Sequence, residues 1–396
     1  MYEYLVIGRG LMGSAAFRYL CQASANSAIV GPDEPKDYAS HDGVFGAHYD
    51  EGRLTHLLGK DPVWGELGRR SFRQYRAIAE ASGIQFYHPV GGLVVQDESI
   101  ESGYFAEAKR VSGGWEEIDL AWLDHQDRQR HFPYLNFPES AQSVWEKSPA
   151  GYINPRALIR AQVEAGRRLG GMVIPEMATG LELHGDHVLV TTRSGQKLAA
   201  KRALVAAGAF SNDNNLLPRP IALSYKTEFI VLGQVPPSEV ARLRSMPTVI
   251  YKLDSDHLSD IYMVPPLRYP DGDYYVKMGA NTHLDRSLCS MDEIYDWYRR
   301  GDSDAMLANM RHAVESMLPG LKSISWHTSR CVPCYTPQRK PFIDKIQEGR
   351  LYLAAGGNGS SAYCSDAIGQ LAAKLVINNN WGDALDPAYF AVHYAS

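Results

Sequence analysis

Tyr4-Leu5-Val6-Ile7-Gly8-Arg9-Gly10-Leu11-Met12-Gly13 is the stretch that decides the fold. The apolar run Tyr4 to Ile7 reads as a buried parallel strand. A G-x-G-x-x-G closes it. Gly8 permits a tight turn, Gly10 lets the backbone approach a pyrophosphate, and Gly13 lets helix and strand pack closely. Ser14 to Cys21 is helix-compatible, and Ala28-Ile29-Val30 is a second short apolar run. Strand, glycine turn, helix and strand within about 30 residues make one βαβ unit. This context favours a dinucleotide site at the helix N-terminus over a coincidental glycine turn. An acidic residue for the adenosine ribose is expected where the second strand ends. Gly31 and Pro32 stand there instead, and Asp33 reads equally as a substitute carboxylate or as a turn residue.

Outward from this unit, residues 36–60 hold four glycines without clear periodicity and read as a long functional loop. Arg70 to Ser82 is amphipathic, with Gly83 placed as a C-cap. Asn154-Pro155 opens a further helix, with Asn as N-cap and Pro at the first helical position. Ala203 to Ala207 reads as a strand that ends at Gly208. Residues 222–280 carry β-branched and aromatic runs separated by Pro and Gly, which suggests an antiparallel sheet. Residues 291–317 read as largely helical, and Leu351 to Ala355 leads into a second glycine cluster, Gly356-Gly357-Asn358-Gly359-Ser360-Ser361, before another helix.

The expected class is therefore α/β, α+β overall. A Rossmann-like cofactor domain would be assembled from 1–80, 150–215 and 325–396. A mixed or antiparallel-sheet substrate domain would be built from 81–149 and 216–324.

Lys plus Arg is 40 and Asp plus Glu is 45, a net charge of -5 that argues against nucleic acid or an anionic membrane as partner. Five cysteines in 396 residues are no disulfide framework. No apolar run approaches the roughly 20 residues that span a bilayer. A cytoplasmic protein, with a homo-oligomer left open, is the expectation. Cys331-Val332-Pro333-Cys334 lacks the second ligand pair of a zinc site, so no metal is expected.

The glycine motif, Ala206-Ala207-Gly208-Ala209-Phe210-Ser211, Tyr335-Thr336-Pro337 and Ala354-Ala355-Gly356 with its glycine-rich tail follow one order. Over nearly the whole chain that order resembles the FAD-dependent D-amino-acid oxidase superfamily, in the branch of monomeric sarcosine oxidase, N-methyltryptophan oxidase and glycine oxidase. The resemblance implies FAD, a small-molecule amine substrate and oxygen. A C–N bond would be oxidised by hydride transfer, the imine hydrolysed, and hydrogen peroxide formed. The same fold also serves dehydrogenases that use a carrier or quinone, and flavin-binding subunits of larger complexes.

By resemblance, Gly8, Gly10, Leu11, Met12 and Gly13 hold the pyrophosphate, with Gly31 and Pro32 beyond them. His48, Arg53 and Leu54 run along the flavin, and Val173 meets the adenine by backbone bonds. Ala207 and Gly208 lie near the ribityl chain, and Gly357, Asn358, Gly359, Ser360 and Ser361 form the C-terminal flavin loop. Lys277, Arg53, Tyr335, His56 and Tyr363 gather at the reacting end. Arg53 would supply positive charge there; from the residues alone it reads as a surface partner of Asp50 or Glu51. Lys277, in Tyr274-Tyr275-Val276-Lys277, reads from its strand alone as pointing to water, whereas the resemblance puts it beside the flavin for oxygen activation.

Three departures matter. Pro333 stands where the covalently flavinylated branch has cysteine, and Cys331 and Cys334 are out of register, so non-covalent FAD is expected. His56 and Tyr363 replace the two cations that anchor a substrate carboxylate. Arg268 and Arg330 are possible new anchors, or surface and structural cations.

Overall fold

A computed structural model describes residues 1–98, 100 and 103–395. Tyr2–Ile7 lies between Ser27–Val30 and Lys197–Val205, parallel to both. The long strand Lys197–Val205 pairs twice on its other edge. Its first half takes the antiparallel strand Val188–Thr192, and its second half takes Leu351–Ala355 in parallel. Met172–Ile174 extends the opposite edge in parallel. These central strands are buried on both faces, which is why they read as continuous apolar runs. Helices Leu11–Ala23 and Ser361–Asn378 cover one face, and Pro155–Arg168 packs against the first of them.

A buried polar cluster joins these three distant segments. Arg18 donates to Gln162 at 2.5 Å and to Asp366 at 2.8 Å, and Gln162 also donates to Asp366 at 2.8 Å. Tyr19 completes the carboxylate's partners.

The second large sheet runs in the order Ser325–Cys331, Glu228–Val235, Tyr274–Thr282, Leu258–Arg268, Thr248–Asp254, Gly92–Gln96, Gln142–Ser148, Asp119–Leu123. Its one parallel contact joins Thr248–Asp254 to Gly92–Gln96. The expected antiparallel character of 222–280 is found. The division at residue 325 needs correction, because Ser325–Cys331 pairs along Glu228–Val235 in this second sheet. Only after Cys331 does the chain return to the first layer.

The amphipathic helix starts earlier than its periodicity suggests. It spans Pro62–Ser82, capped by Asp61, which accepts from Val63 and Trp64, and it ends at Gly83 with φ 73°. Asn154 caps Pro155–Arg168 as its sequence implies, accepting from Ala157. Residues 31–52 form neither helix nor strand and run between the two large sheets. No helix of the described residues is long and apolar enough to cross a membrane.

Removing Asp366 would leave the Arg18 guanidinium buried without its counter-charge. Asp366→Ala is expected to cost about 3–5 kcal/mol in urea unfolding, with Asp366→Asn intermediate because it keeps hydrogen-bonding capacity. An unchanged midpoint in Asp366→Ala would show that the three segments do not depend on this cluster.

Candidate active site

The N-terminal glycine loop, the loop of residues 31–52 and the C-terminal glycine cluster enclose one cavity of about 660 Å³. The steric role of each glycine is separate. Gly8 has φ +111°, and a Cβ on it would strike the carbonyl of Ala206. A Cβ on Gly13 would land on the carbonyl oxygen of Gly8, so Gly13 sits behind the wall as the packing glycine. At Gly10 a Cβ would meet nothing within 4 Å, and the cavity comes up to the backbone.

The helices Leu11–Ala23 and Ser361–Asn378 begin on this wall, and neither has a side-chain cap. Pro62–Ser82 and Pro155–Arg168 do have side-chain caps. Uncapped helix N-termini beside an open glycine cradle suit a diphosphate, whose charge takes the orphan N–H groups. The residues present therefore fit FAD. The first turn with Gly10 would hold its diphosphate, and residues 357–361 would face its ring.

Gly31, Pro32, His48, Arg53, Leu54, Ala207 and Gly208 line the same cavity, as do His56, Tyr335 and Tyr363. Three expected contacts are off the wall, Gly13 among them. Val173 sits in the edge strand Met172–Ile174 with its side chain packed on the helix-side core, and Met177 and Ala178 line the cavity instead. Lys277 lies one layer behind. Asp33 is exposed and paired with Arg9, which lines the cavity. Gly31 has no room for the missing acid, since a Cβ there would be 2.6 Å from the Arg9 nitrogen.

Behind the wall, one carboxylate organises the charges. Asp50 accepts from Lys277 at 2.5 Å, from Arg53 at 2.5 Å and from Tyr269 at 2.8 Å. Lys277 also donates to the carbonyl of Gly52 at 2.6 Å. Lys277 is 0% exposed and Asp50 2%, so the reading of this lysine as water-facing is overturned. Both faces of its strand are buried, and a lone alternation pattern cannot reveal that. Burial alone would push the Asp50 carboxyl up, but Lys277 and Arg53 outweigh it and hold it well below the usual range. Burial and the Arg53 charge push Lys277 down to about 8 against the pull of Asp50. Burial and three arginines push His48 down to about 3, so it is neutral. Burial also lowers His56, which bonds the carbonyl of Leu58 at 3.0 Å and packs its ring against Tyr363.

Arg268 and Arg330 are resolved as structural cations. Arg268 bonds the carbonyl of Gly272 in its own hairpin, and Arg330 bonds the carbonyls of Tyr298 and Gly301. Three acids escaped notice in the sequence as site residues. Asp50 figured only as a surface partner of Arg53. Glu228 lines the cavity and accepts from Tyr262 at 2.7 Å. Glu146, fully buried, accepts from the amides of Leu57 and Leu58, and burial raises it to about 7. The Asp50-Glu51 pair before Gly52-Arg53 was a legible signal; Glu228 and Glu146, single acids within strands, gave none.

The family described as FAD dependent oxidoreductase (DAO) matches residues 3–375. The chain belongs to this family. Its members use FAD, in agreement with the cradle, and this protein is an FAD-dependent oxidoreductase. A monomeric sarcosine oxidase from Arthrobacter sp. (strain TE1826) is 24% identical over 95% of this chain and 92% of its own. An N-methyl-L-tryptophan oxidase from Yersinia pestis (strain Pestoides F) is 25% identical over 55% of this chain and 56% of its own. Among solved structures, NikD, an unusual amino acid oxidase essential for nikkomycin biosynthesis, superposes with TM-score 0.78 at 17% identity, covering 100% of this chain and 98% of that one. L-proline dehydrogenase from P. horikoshii superposes with TM-score 0.71 at 15% identity, covering 98% and 96%.

A branched side chain at Gly10 would fill the open cradle without striking the protein. Gly10→Val is therefore expected to purify folded but nearly free of visible flavin absorbance. Full flavin occupancy in that variant would remove the diphosphate from this position.

Proposed function

We propose that this flavoprotein is an amine oxidase, oxidising a C–N bond of a small amine, with hydrolysis of the imine and oxygen as electron acceptor. FAD, when bound, supplies the two-electron chemistry. The carrying observation is the Arg53–Asp50–Lys277 cluster. Arg53 and Lys277 bring positive charge to the Asp50 carboxylate at and just behind the wall, and Lys277 and Asp50 are closed to water. Arg53 stands on the wall and brings that charge to the reacting end. Such a charge stabilises an anion as it forms, which oxygen reduction requires at its first electron. Neutral His48 and His56 add no competing cation and leave an apolar, hydrogen-bonding surface around the amine.

The flavin is read as non-covalent. Cys331 and Cys334 both reach the wall, but burial holds both thiols above their usual value, Cys331 at about 11, so each is a protonated, poor nucleophile at neutral pH. Acid precipitation is expected to release the flavin into the supernatant; colour retained by the polypeptide would point to one of these thiols as the tether.

A second reading has its own observation. The Lys277 ammonium is already engaged by Asp50 and Gly52, which suits a same-fold dehydrogenase that passes electrons to another acceptor. Stopped-flow measurement separates the two. In the oxidase, Lys277→Met slows reoxidation by oxygen by at least about a hundredfold, since a removed stabilising charge costs ~3 kcal/mol or more in a dry site, while anaerobic reduction by amine changes much less. The wild-type reoxidation rate falls as pH rises through about 8, where Lys277 loses its proton, and the variant lacks that step. A wild-type enzyme that reoxidises slowly in air and is unaffected by Lys277→Met supports the dehydrogenase.

A further inference from the structure

One charged group on the cavity wall has no ion-pair partner among the described residues. The wall's cations are all engaged: Arg9 with Asp33, Arg53 with Asp50 at 2.5 Å, and Lys252 with Asp260 at 2.7 Å. Of its two carboxylates, Asp260 is the one held by Lys252. Glu228 is the other, and among the described residues it makes no ion pair. Its Oε1 accepts from the Tyr262 hydroxyl at 2.7 Å, and no donor among the described residues meets Oε2. Glu228 opens the strand Glu228–Val235, opposite Cys331, and its side chain is half-buried on the wall. Its charge acts on Arg53, Lys277, Cys331 and Tyr335, so it stands at the reacting end of the cavity and away from the diphosphate cradle.

The complementary absence is equally clear. His56 and Tyr363, where a carboxylate anchor is expected by resemblance, are a neutral ring pair 5.1 Å apart. A half-buried carboxylate without a counter-ion is costly unless a cation joins it. The accessible unpaired charge here is negative, so the ligand that completes the site is cationic. The reacting nitrogen must be neutral for the carbon beside it to release a hydride, so the cation that meets Glu228 belongs to a second group on the same molecule.

We infer that the substrate is a diamine-type amine without a carboxylate on the reacting carbon, whose second, non-reacting ammonium pairs with Glu228 while Tyr262 fixes that carboxylate. This rests on the amine-oxidase reading above and specifies its substrate class. Glu228 is thereby a specificity-determining residue.

The test uses the holoenzyme and three matched amines: N-methylbutylamine, N-methylputrescine with its extra ammonium, and N-methylnorvaline with its extra carboxylate. Anaerobic flavin bleaching gives kcat/KM for each. N-methylputrescine is expected to exceed N-methylbutylamine by about tenfold or more, the size of one partly desolvated charge pair, with N-methylnorvaline behind both. In Glu228→Gln, which keeps an acceptor for Tyr262, the putrescine-to-butylamine ratio falls to about one. A short bis-trimethylammonium alkane has no lone pair and cannot be oxidised, so its binding, read by calorimetry, gives a second measure. It should bind wild type about tenfold more tightly than Glu228→Gln. N-methylnorvaline as the best of the three, or a ratio and an affinity unmoved by Glu228→Gln, overturns the inference while leaving amine oxidation intact. Failure of every amine to bleach the flavin overturns the amine-oxidase reading itself.

Discussion

Asp50 binds the two layers of this protein together, and the chemistry of the reacting end depends on how its charge is met. It belongs to the long loop that follows the first βαβ unit, yet its partners Lys277 and Tyr269 come from the second sheet. A carboxylate this deeply buried is tolerable only when cations and donors surround it. Here Lys277, Arg53 and Tyr269 do so, and their combined effect exceeds the cost of burial. Each partner in turn needs Asp50. Lys277 without it would be a buried ammonium with one carbonyl for company, next to the Arg53 guanidinium. The loop, the small strand Arg53–Thr55 and the strand Tyr274–Thr282 are therefore fixed relative to one another by one set of charges.

The sequence was informative wherever a residue has a local steric task. Gly8 and Gly13 are there because the backbone of Ala206 and of Gly8 itself leaves no room for a Cβ, and that requirement shows as a motif. Asn154 and Gly83 are helix punctuation, equally local. What escaped was set by partners far along the chain. Arg18 and Asp366 are 348 residues apart, and no periodicity records their pairing. Lys277 interrupts an apolar strand as a surface lysine would; only the loop folded over it makes it a buried cation. Ser325–Cys331 carries ordinary strand residues, and its sheet is decided by which edge is free, so the division at 325 fell seven residues early. Resemblance brought Lys277 to notice where pattern could not.

The cradle and the reacting end also differ in the atoms they use. The cradle is mostly backbone: glycine N–H groups, two uncapped helix starts and the absence of Cβ atoms. Backbone recognition places few demands on side-chain identity. That accounts for a fold shared with NikD over 100% of the chain at 17% identity. The reacting end is built from side chains on several elements: Lys277 and Glu228 of the second sheet, Arg53 of the strand Arg53–Thr55, Tyr335 of a short strand and Tyr363 of the helix Ser361–Asn378.

This separation explains how the family's fold can serve different amines without rebuilding the cofactor site. A change of side chain at His56 or Tyr363 leaves the first sheet untouched, because both residues reach the wall from elements whose backbones are fixed elsewhere. Leu57 and Leu58 are held by the buried Glu146, and Tyr75 donates to the carbonyl of Tyr363. The wall residues are thus free to change their chemistry while their positions stay constant. Glu228 has the same standing. Its backbone pairs with Cys331, so its place in the sheet does not depend on its carboxylate. A charge that the fold does not need, held at the reacting end with one oxygen unpaired, is accounted for by what the cavity admits.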